Sequence, residues 1–322
     1  MRTVMLGTGS FAEPTFLALV RSRHRPVALV TNPDRPSGKE REMVRPIKKL
    51  ALQENIPVFQ PESVNSPEGL AGLRQFQPEL LVVAAYGQIL SAEVLAAARH
   101  GGINLHASLL PKYRGAAPVA WAIFHGETQT GVSVIRMTPR LDAGDILAQK
   151  AVDILPQETA GELEARLARI GAELILAVVD QIEAGTAQGW PQDPARVSRA
   201  PKLTKEHGLV DWSRPARLVC CQIRAMQPWP SPYTYWHRRG KPPLRLLLLQ
   251  AQAEESASPP QDTPPGTVIH ADQQQILIAA GQGAVRPLVV QPAGKTPMSI
   301  ADFLHGHPVQ VGDRFGPETL PA

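Results

Sequence analysis

Short apolar runs and helix-period patterns alternate along the first half of the chain. Residues 3–6, 27–31, 58–59, 80–85, 102–106 and 132–137 read as strands, and 11–21, 44–54, 92–99 and 162–182 as helices. The run LLVVAA at 80–85 has no polar member, as in a strand covered on both faces of a parallel sheet. This alternation predicts an α/β fold with a Rossmann-like, doubly wound parallel sheet. Such sheets bind ligands beyond the carboxyl ends of their strands, where Tyr86, Gly87, Asn104 and His106 fall.

The pattern then changes. Residues 185–199 are rich in Gly, Pro, Gln and Asp and have no clear period, which suggests a linker. Residues 215–226 read as a helix with Pro at its start and a WPSP turn after its end. Short strands follow at 233–238, 244–251, 266–270, 275–279 and 287–291, with a polar, Pro-rich loop at 253–265. Five short strands in so little chain predict a small β-barrel of OB type. The expected organisation is a catalytic domain at 1–190, a linker at 191–206 and an OB-like barrel domain at 207–322.

Composition adds three constraints. Apolar residues make up 43% of the 322, enough for packed cores, and the 32 prolines favour loops and strands. The only cysteines are the neighbours Cys220 and Cys221, so no disulfide framework or CxxC metal spacing exists, which fits a reducing cytoplasm. No signal peptide or membrane-length apolar run is evident, and nothing calls for more than a monomer. The net charge of +4 is unevenly spread: 202–245 holds nine Lys/Arg against two Asp/Glu, and 21–49 holds nine against three. Clustered positive charge attracts polyanions, although two solvated basic faces would look the same.

The densest chemistry lies in INLHASLLPKYRGAAP at 103–118. Asn104 and His106 alternate onto one side of a strand, where an amide and an imidazole can hold a developing oxyanion; they can equally cap the next turn. Asp142, in RLDAGDI at 140–146, would orient that imidazole and pair with its charged form, or serve as an ordinary Asp-Gly turn. GTGSFA at 7–12 is a partial dinucleotide fingerprint with Ala12 in place of its third glycine. A tight strand-to-helix turn calls for the same glycines, and an NAD-dependent oxidoreductase is the alternative reading.

The 103–118 segment resembles the signature of folate-dependent formyltransferases, supported by TNPDRPSG at 31–38, VVAAYGQIL at 82–90 and LDAGDI at 141–146. Three C-terminal segments are similar to the branch of that family acting on methionyl-tRNA: KLTKEHGLVDWS at 202–213, IRAMQPWPSPYT at 223–234 and QPAGKTPMS at 291–299. The resemblance runs from residue 1 to about 315.

It implies formyl transfer from 10-formyltetrahydrofolate to the amine of initiator methionyl-tRNA, without a metal. Asn104, His106 and Asp142 match the family's catalytic positions. The folate pocket would include Tyr86, Gly87, Gln88, Ile89 and Leu90, with Ser108, Leu109, Leu110 and Pro111. The tRNA would meet Arg35, Lys39, Arg41, Arg45 and Arg114, then Lys202, Lys205 and Arg224. Glu40 and Glu42 dilute a loop that is almost purely basic in the family, and GTGSFA stands where GTPDFA is more usual. Two alternatives are the same chemistry on a nucleotide-linked amino sugar, and an inactive RNA-binding protein that keeps the fold.

Overall fold

The computed structural model describes residues 1–34, 45–238 and 240–320. The elements run β1 (Thr3–Gly7), α1 (Glu13–Val20), β2 (Ala28–Val30), α2 (Pro46–Gln53), β3 (Val58–Phe59), α3 (Pro67–Gln75), β4 (Leu80–Ala84), α4 (Ala92–Leu95) and β5 (Gly102–His106). Then come β6 (Arg114–Gly115), α5 (Pro118–Phe124), β7 (Gln129–Arg136), β8 (Ile146–Asp153), α6 (Ala160–Glu183), β9 (Arg199–Ala200) and α7 (Ala216–Ala225). The last are β10 (Tyr233–His237), β11 (Leu244–Glu254), β12 (Val268–Ala271), β13 (Ile276–Ala279), β14 (Ala284–Pro292), β15 (Met298–Ser299), α8 (Ile300–Gly306) and β16 (Arg314–Gly316).

Two compact units form. One comprises residues 1–118, 129–153 and 162–201, the other 119–128, 154–161 and 202–322. Within the stretch 191–206, therefore, residues to 201 fold with the first unit and the rest with the second.

The first unit is built on a sheet of order β3-β2-β1-β4-β5-β7-β8. β1 to β5 are parallel, with Val82 beside Ile103 and Met5 beside Val82. β4 is buried at every position, as its uninterrupted apolar run requires. The strand order reverses between β1 and β4, the place where such sheets open a crevice. The sheet is mixed, because β7 runs antiparallel to β5 and β8 turns back on β7. Val4, Leu6, Val30, Leu81 and Val83 form one apolar cluster with Leu73 and Leu90. Each fully buried aliphatic side chain of this kind contributes about 1.5–3 kcal/mol.

In the turn after β1, two amides are committed within the chain. The Thr8 and Gly9 N–H groups both donate to the Ala85 carbonyl, at 3.2 and 3.4 Å, and a short 3-10 turn (Ser10–Ala12) precedes α1. Gly7 serves a tight strand-to-helix junction, where a Cβ would stand 2.7 Å from the Ala12 side chain.

The second unit is an antiparallel barrel of order β12-β13-β14-β11-β10-β16, with β15 paired to β14. Its ends meet: the Val268 N–H donates to the Asp313 carbonyl at 2.8 Å and the Phe315 N–H to Gly266 at 2.7 Å. Trp212, Trp236, Leu246, Leu248, Phe303 and Phe315 fill its core with Val219 and Ile223 of α7. Cys220 and Cys221 both lie on α7 as free thiols, and burial pushes the Cys220 thiol up to about 12. Among the described residues no helix is long and apolar enough to cross a membrane.

Candidate active site

β5 carries the central pair. Asn104 and His106 share one side of the strand, with Asn104 opposite Ile135 and His106 opposite Ser133 on β7. Asn104 is half-buried, and its amide makes no hydrogen bond to any described residue. His106 is buried, and its Nε2 lies 2.9 Å from the Tyr113 carbonyl oxygen. A carbonyl only accepts, so Nε2 carries the hydrogen and donates it. Nδ1 faces Asp142 Oδ2 at 3.7 Å, beyond hydrogen-bond length.

Asp142 arrives by an indirect route. Because β7 is antiparallel, its end at Arg136 lies beside Ile103, at the start of β5 and not at His106. Residues 137–145 must fold back for Asp142 to reach the far end of β5. The base of this loop is closed by the Arg136 N–H donating to the Asp145 carbonyl at 2.9 Å. Gly144 packs there so closely that a Cβ would stand 1.7 Å from the Arg136 oxygen. Asp142 itself adopts φ 48, a left-handed conformation that short polar residues tolerate best. Its Oδ2 accepts the Gly115 N–H at 2.9 Å, while Oδ1 has no hydrogen bond among the described residues.

Two further contacts hold the loop. The Gln192 Nε2 donates to the Asp142 carbonyl at 2.8 Å and to the Gly144 carbonyl at 2.7 Å. Its Oε1 accepts Arg114 Nε at 3.1 Å and Nη2 at 2.7 Å. β6 pairs with β9, and the Ser198 hydroxyl accepts the Tyr113 N–H at 2.9 Å. Gly115 (φ 130) passes against Ala200, where a Cβ would meet the carbonyl oxygen at 2.4 Å.

The loop 108–111 is held as tightly. Ser133 Oγ donates to the Ser108 carbonyl at 2.6 Å and accepts the Leu110 N–H at 3.1 Å. Gln149 Nε2 donates to the Leu110 carbonyl at 2.8 Å, Ser108 Oγ donates to the Lys112 carbonyl at 2.6 Å, and the Leu110–Pro111 bond is cis. The Leu110 side chain packs with Ile135 and Ile146, and Leu109 is half-buried.

Residues 86–90 follow the carboxyl end of β4, the strand that neighbours β5. Tyr86 is buried, and loss of solvent pushes its hydroxyl up to about 12. Its carbonyl accepts Asn32 Nδ2 at 2.8 Å and Thr8 Oγ1 at 3.2 Å. Gly87 has φ 86. Gln88 is a brace: Oε1 accepts the Val64 N–H at 3.0 Å and Nε2 donates to Asn32 Oδ1 at 2.9 Å. Leu90 is wholly buried, so of this group Ile89, 56% exposed, offers the apolar surface.

The expected tRNA-binding cations divide. Arg35, Lys39 and Arg41 lie outside the described residues. Arg45 donates to the Asn32 and Pro33 carbonyls, and Arg224 to the Glu158 carbonyl and Cys221 Sγ, so both brace their own unit. Arg114 is half-buried, with its Nε–Nη2 edge on Gln192. Lys202 and Lys205 are exposed. Sequence reasoning missed Gln192, Ser198, Ser133 and Gln149. Gln192 and Ser198 fall in the aperiodic stretch after α6, where no pattern distinguishes a hub from a spacer.

The chain matches the formyl transferase model over residues 1–179 and the formyl transferase C-terminal domain model over 202–308. A methionyl-tRNA formyltransferase of Akkermansia muciniphila is 43% identical over 311 residues, covering 96% of this chain and 97% of that protein. One of Chlamydia muridarum is 44% identical over 307 residues, covering 95% and 96%. Among solved structures, the sugar 3N-formyl transferase WlaRD, crystallised with dTDP and 5-N-formyl-THF, shares the fold. It has a TM-score of 0.65 at 16% identity, over 92% of this chain and 99% of that one. This chain belongs to the formyl transferase family, among the methionyl-tRNA formyltransferases.

Proposed function

We propose that the chain transfers the formyl group of 10-formyltetrahydrofolate to the α-amine of methionyl-initiator tRNA, giving the formylated initiator for translation. Near-full-length identity above 40% to methionyl-tRNA formyltransferases supports the acceptor. The observation that carries the chemistry is the meeting of Asn104, His106 and Asp142 across a folded-back loop. The activity belongs to the cytoplasm, in keeping with two free cysteines.

Folate would supply the activated formyl group beyond the carboxyl ends of β4 and β5. The exposed Ile89, and an Asn104 amide with no hydrogen bond among the described residues, fit a flat ring system with a polar reacting end. As the amine attacks, charge builds on the formyl oxygen, and N–H groups aimed at it lower the barrier. Asn104 supplies one. His106 can supply the other only from Nδ1, and only as imidazolium, since its Nε2–H is committed to Tyr113. Asp142 faces that imidazolium, and its Oδ1 takes the proton shed by the amine. The new carbon–nitrogen bond forms to the acceptor and the old one to the donor nitrogen breaks. His106 protonates the leaving nitrogen and recovers its proton from Asp142 through water.

The test offers 10-formyltetrahydrofolate with methionylated initiator tRNA, or with a UDP-linked 4-amino sugar, in separate reactions. Transfer to the tRNA alone is expected. Transfer to the sugar alone would keep the donor and the catalytic set but overturn the acceptor.

A further inference from the structure

We propose that Gln192 is a positioning residue for this reaction: its side-chain amide fixes the Asp142 loop opposite His106 and yokes Arg114 to it. The proposal rests on the formyl-transfer reading above.

The Asp142 loop leaves the sheet at the wrong end and has to return along β5. Its base is closed by backbone contacts near Arg136, but its tip stands on few. There Asp142 holds φ 48, a conformation that costs a non-glycine residue free energy unless its surroundings impose it. The Gln192 amide imposes it from outside the loop. Both of its N–H groups bind loop carbonyls, one on Asp142 itself. Its oxygen takes both donors from one edge of Arg114. All four hydrogen-bonding sites of the amide are thereby used, two on each side. Arg114 is also the residue beside Gly115, whose N–H anchors the Asp142 carboxylate. Gln192 therefore closes a ring: Asp142 carbonyl, Gln192, Arg114, Gly115 N–H, Asp142 carboxylate. A loop tip released from this ring moves the carboxylate away from Nδ1, and a misplacement of ~1 Å costs on the order of 100-fold in rate.

The two sides of the amide can be separated. Gln192→Glu keeps the oxygen that holds Arg114 and removes both donors to the loop. Gln192→Met removes both sides at similar volume. With both variants folded, as read by their thermal midpoints, Gln192→Glu is expected to lower kcat on the order of 100-fold, with KM for methionyl-tRNA near wild type. Gln192→Met is expected to lower kcat as far and also to raise KM, because Arg114 is loosened. Hydrogen exchange at the Gly115 amide gives a readout independent of turnover. Its protection should fall at least tenfold in both variants, as the Asp142 acceptor drifts. Wild-type kcat in Gln192→Glu, or unchanged Gly115 protection, would overturn the proposal. An inactive wild-type enzyme would instead count against the formyl-transfer reading, while Gly115 exchange would still decide whether Gln192 positions the loop.

Discussion

His106 Nε2 lies 2.9 Å from the carbonyl oxygen of Tyr113, and this contact decides which ring nitrogen is left for chemistry. Tyr113 sits at φ 62, and its own N–H is held by Ser198, so the accepting carbonyl is fixed by the β6–β9 pairing. The nitrogen left without a hydrogen bond among the described residues is Nδ1, on the side of Asp142.

Asp142→Asn should separate charge from shape. Asparagine tolerates a left-handed φ and keeps an oxygen for the Gly115 N–H, so the thermal midpoint should hardly move. Turnover should fall roughly 100- to 10,000-fold, the range for losing a positioned base. Calorimetry and a formyl-transfer time course check both halves, and unchanged turnover would remove Asp142 from the mechanism.

Gly144→Ala places a methyl group 1.7 Å from the Arg136 carbonyl oxygen, which a backbone atom cannot yield cheaply. The loop base must open, at a cost of roughly 0.5–3 kcal/mol in denaturant unfolding. Turnover should fall with it, since the same base carries Asp142. A variant as stable and active as wild type would show that the loop closes differently.

Asp34 gives a pH prediction. Burial alone would push its carboxyl up, but hydrogen bonds from Lys48, Gln60 and the Arg45 N–H outweigh it and hold it below the usual range. A carboxyl depressed in the folded state adds stability above its unfolded value, and that stability is lost as pH falls through the folded value. Lys48→Met should let Asp34 rise, so acid unfolding followed by circular dichroism should begin at a higher pH than in wild type. Superimposable curves would mean that the Lys48–Asp34 pair contributes nothing.

Lys205 is exposed on the second unit, where its charge acts on the neighbouring Glu206 carboxylate. If it meets a tRNA phosphate, Lys205→Ala should reduce the slope of log KM against log salt by about one and leave kcat unchanged. An identical slope would make it a solvated surface charge.

The sequence displayed what local periodicity can carry. The strand at 102–106 and the one at 58–59 appear where the pattern puts them, and the five expected barrel strands shift by only a few residues, while the short β15 and β16 of that barrel fall outside the pattern. The helix α3 escaped notice because PEGLAGLRQ has two glycines and a thin apolar stripe; Ser66 caps it and Leu73 anchors it. β8 was missed because its second half is exposed and polar. The helix expected at 92–99 ends at Leu95. In the site, Asn104 and His106 were legible as an i, i+2 pair on a strand. The approach of Asp142 depends on the reversed direction of β7, which no local pattern encodes, and Gln192 depends on that fold-back in turn. Arg45 and Arg224, expected to meet the tRNA, also donate to backbone carbonyls of their own unit, a contact no local pattern displays.

The most direct test is the single-turnover rate of formyl transfer to methionyl-initiator tRNA in wild type and His106→Ala. Loss of one oxyanion donor predicts a rate lower by roughly 100- to 1000-fold. The thermal midpoint should show the variant still folded. A folded His106→Ala enzyme that transfers formyl at the wild-type rate would contradict the account.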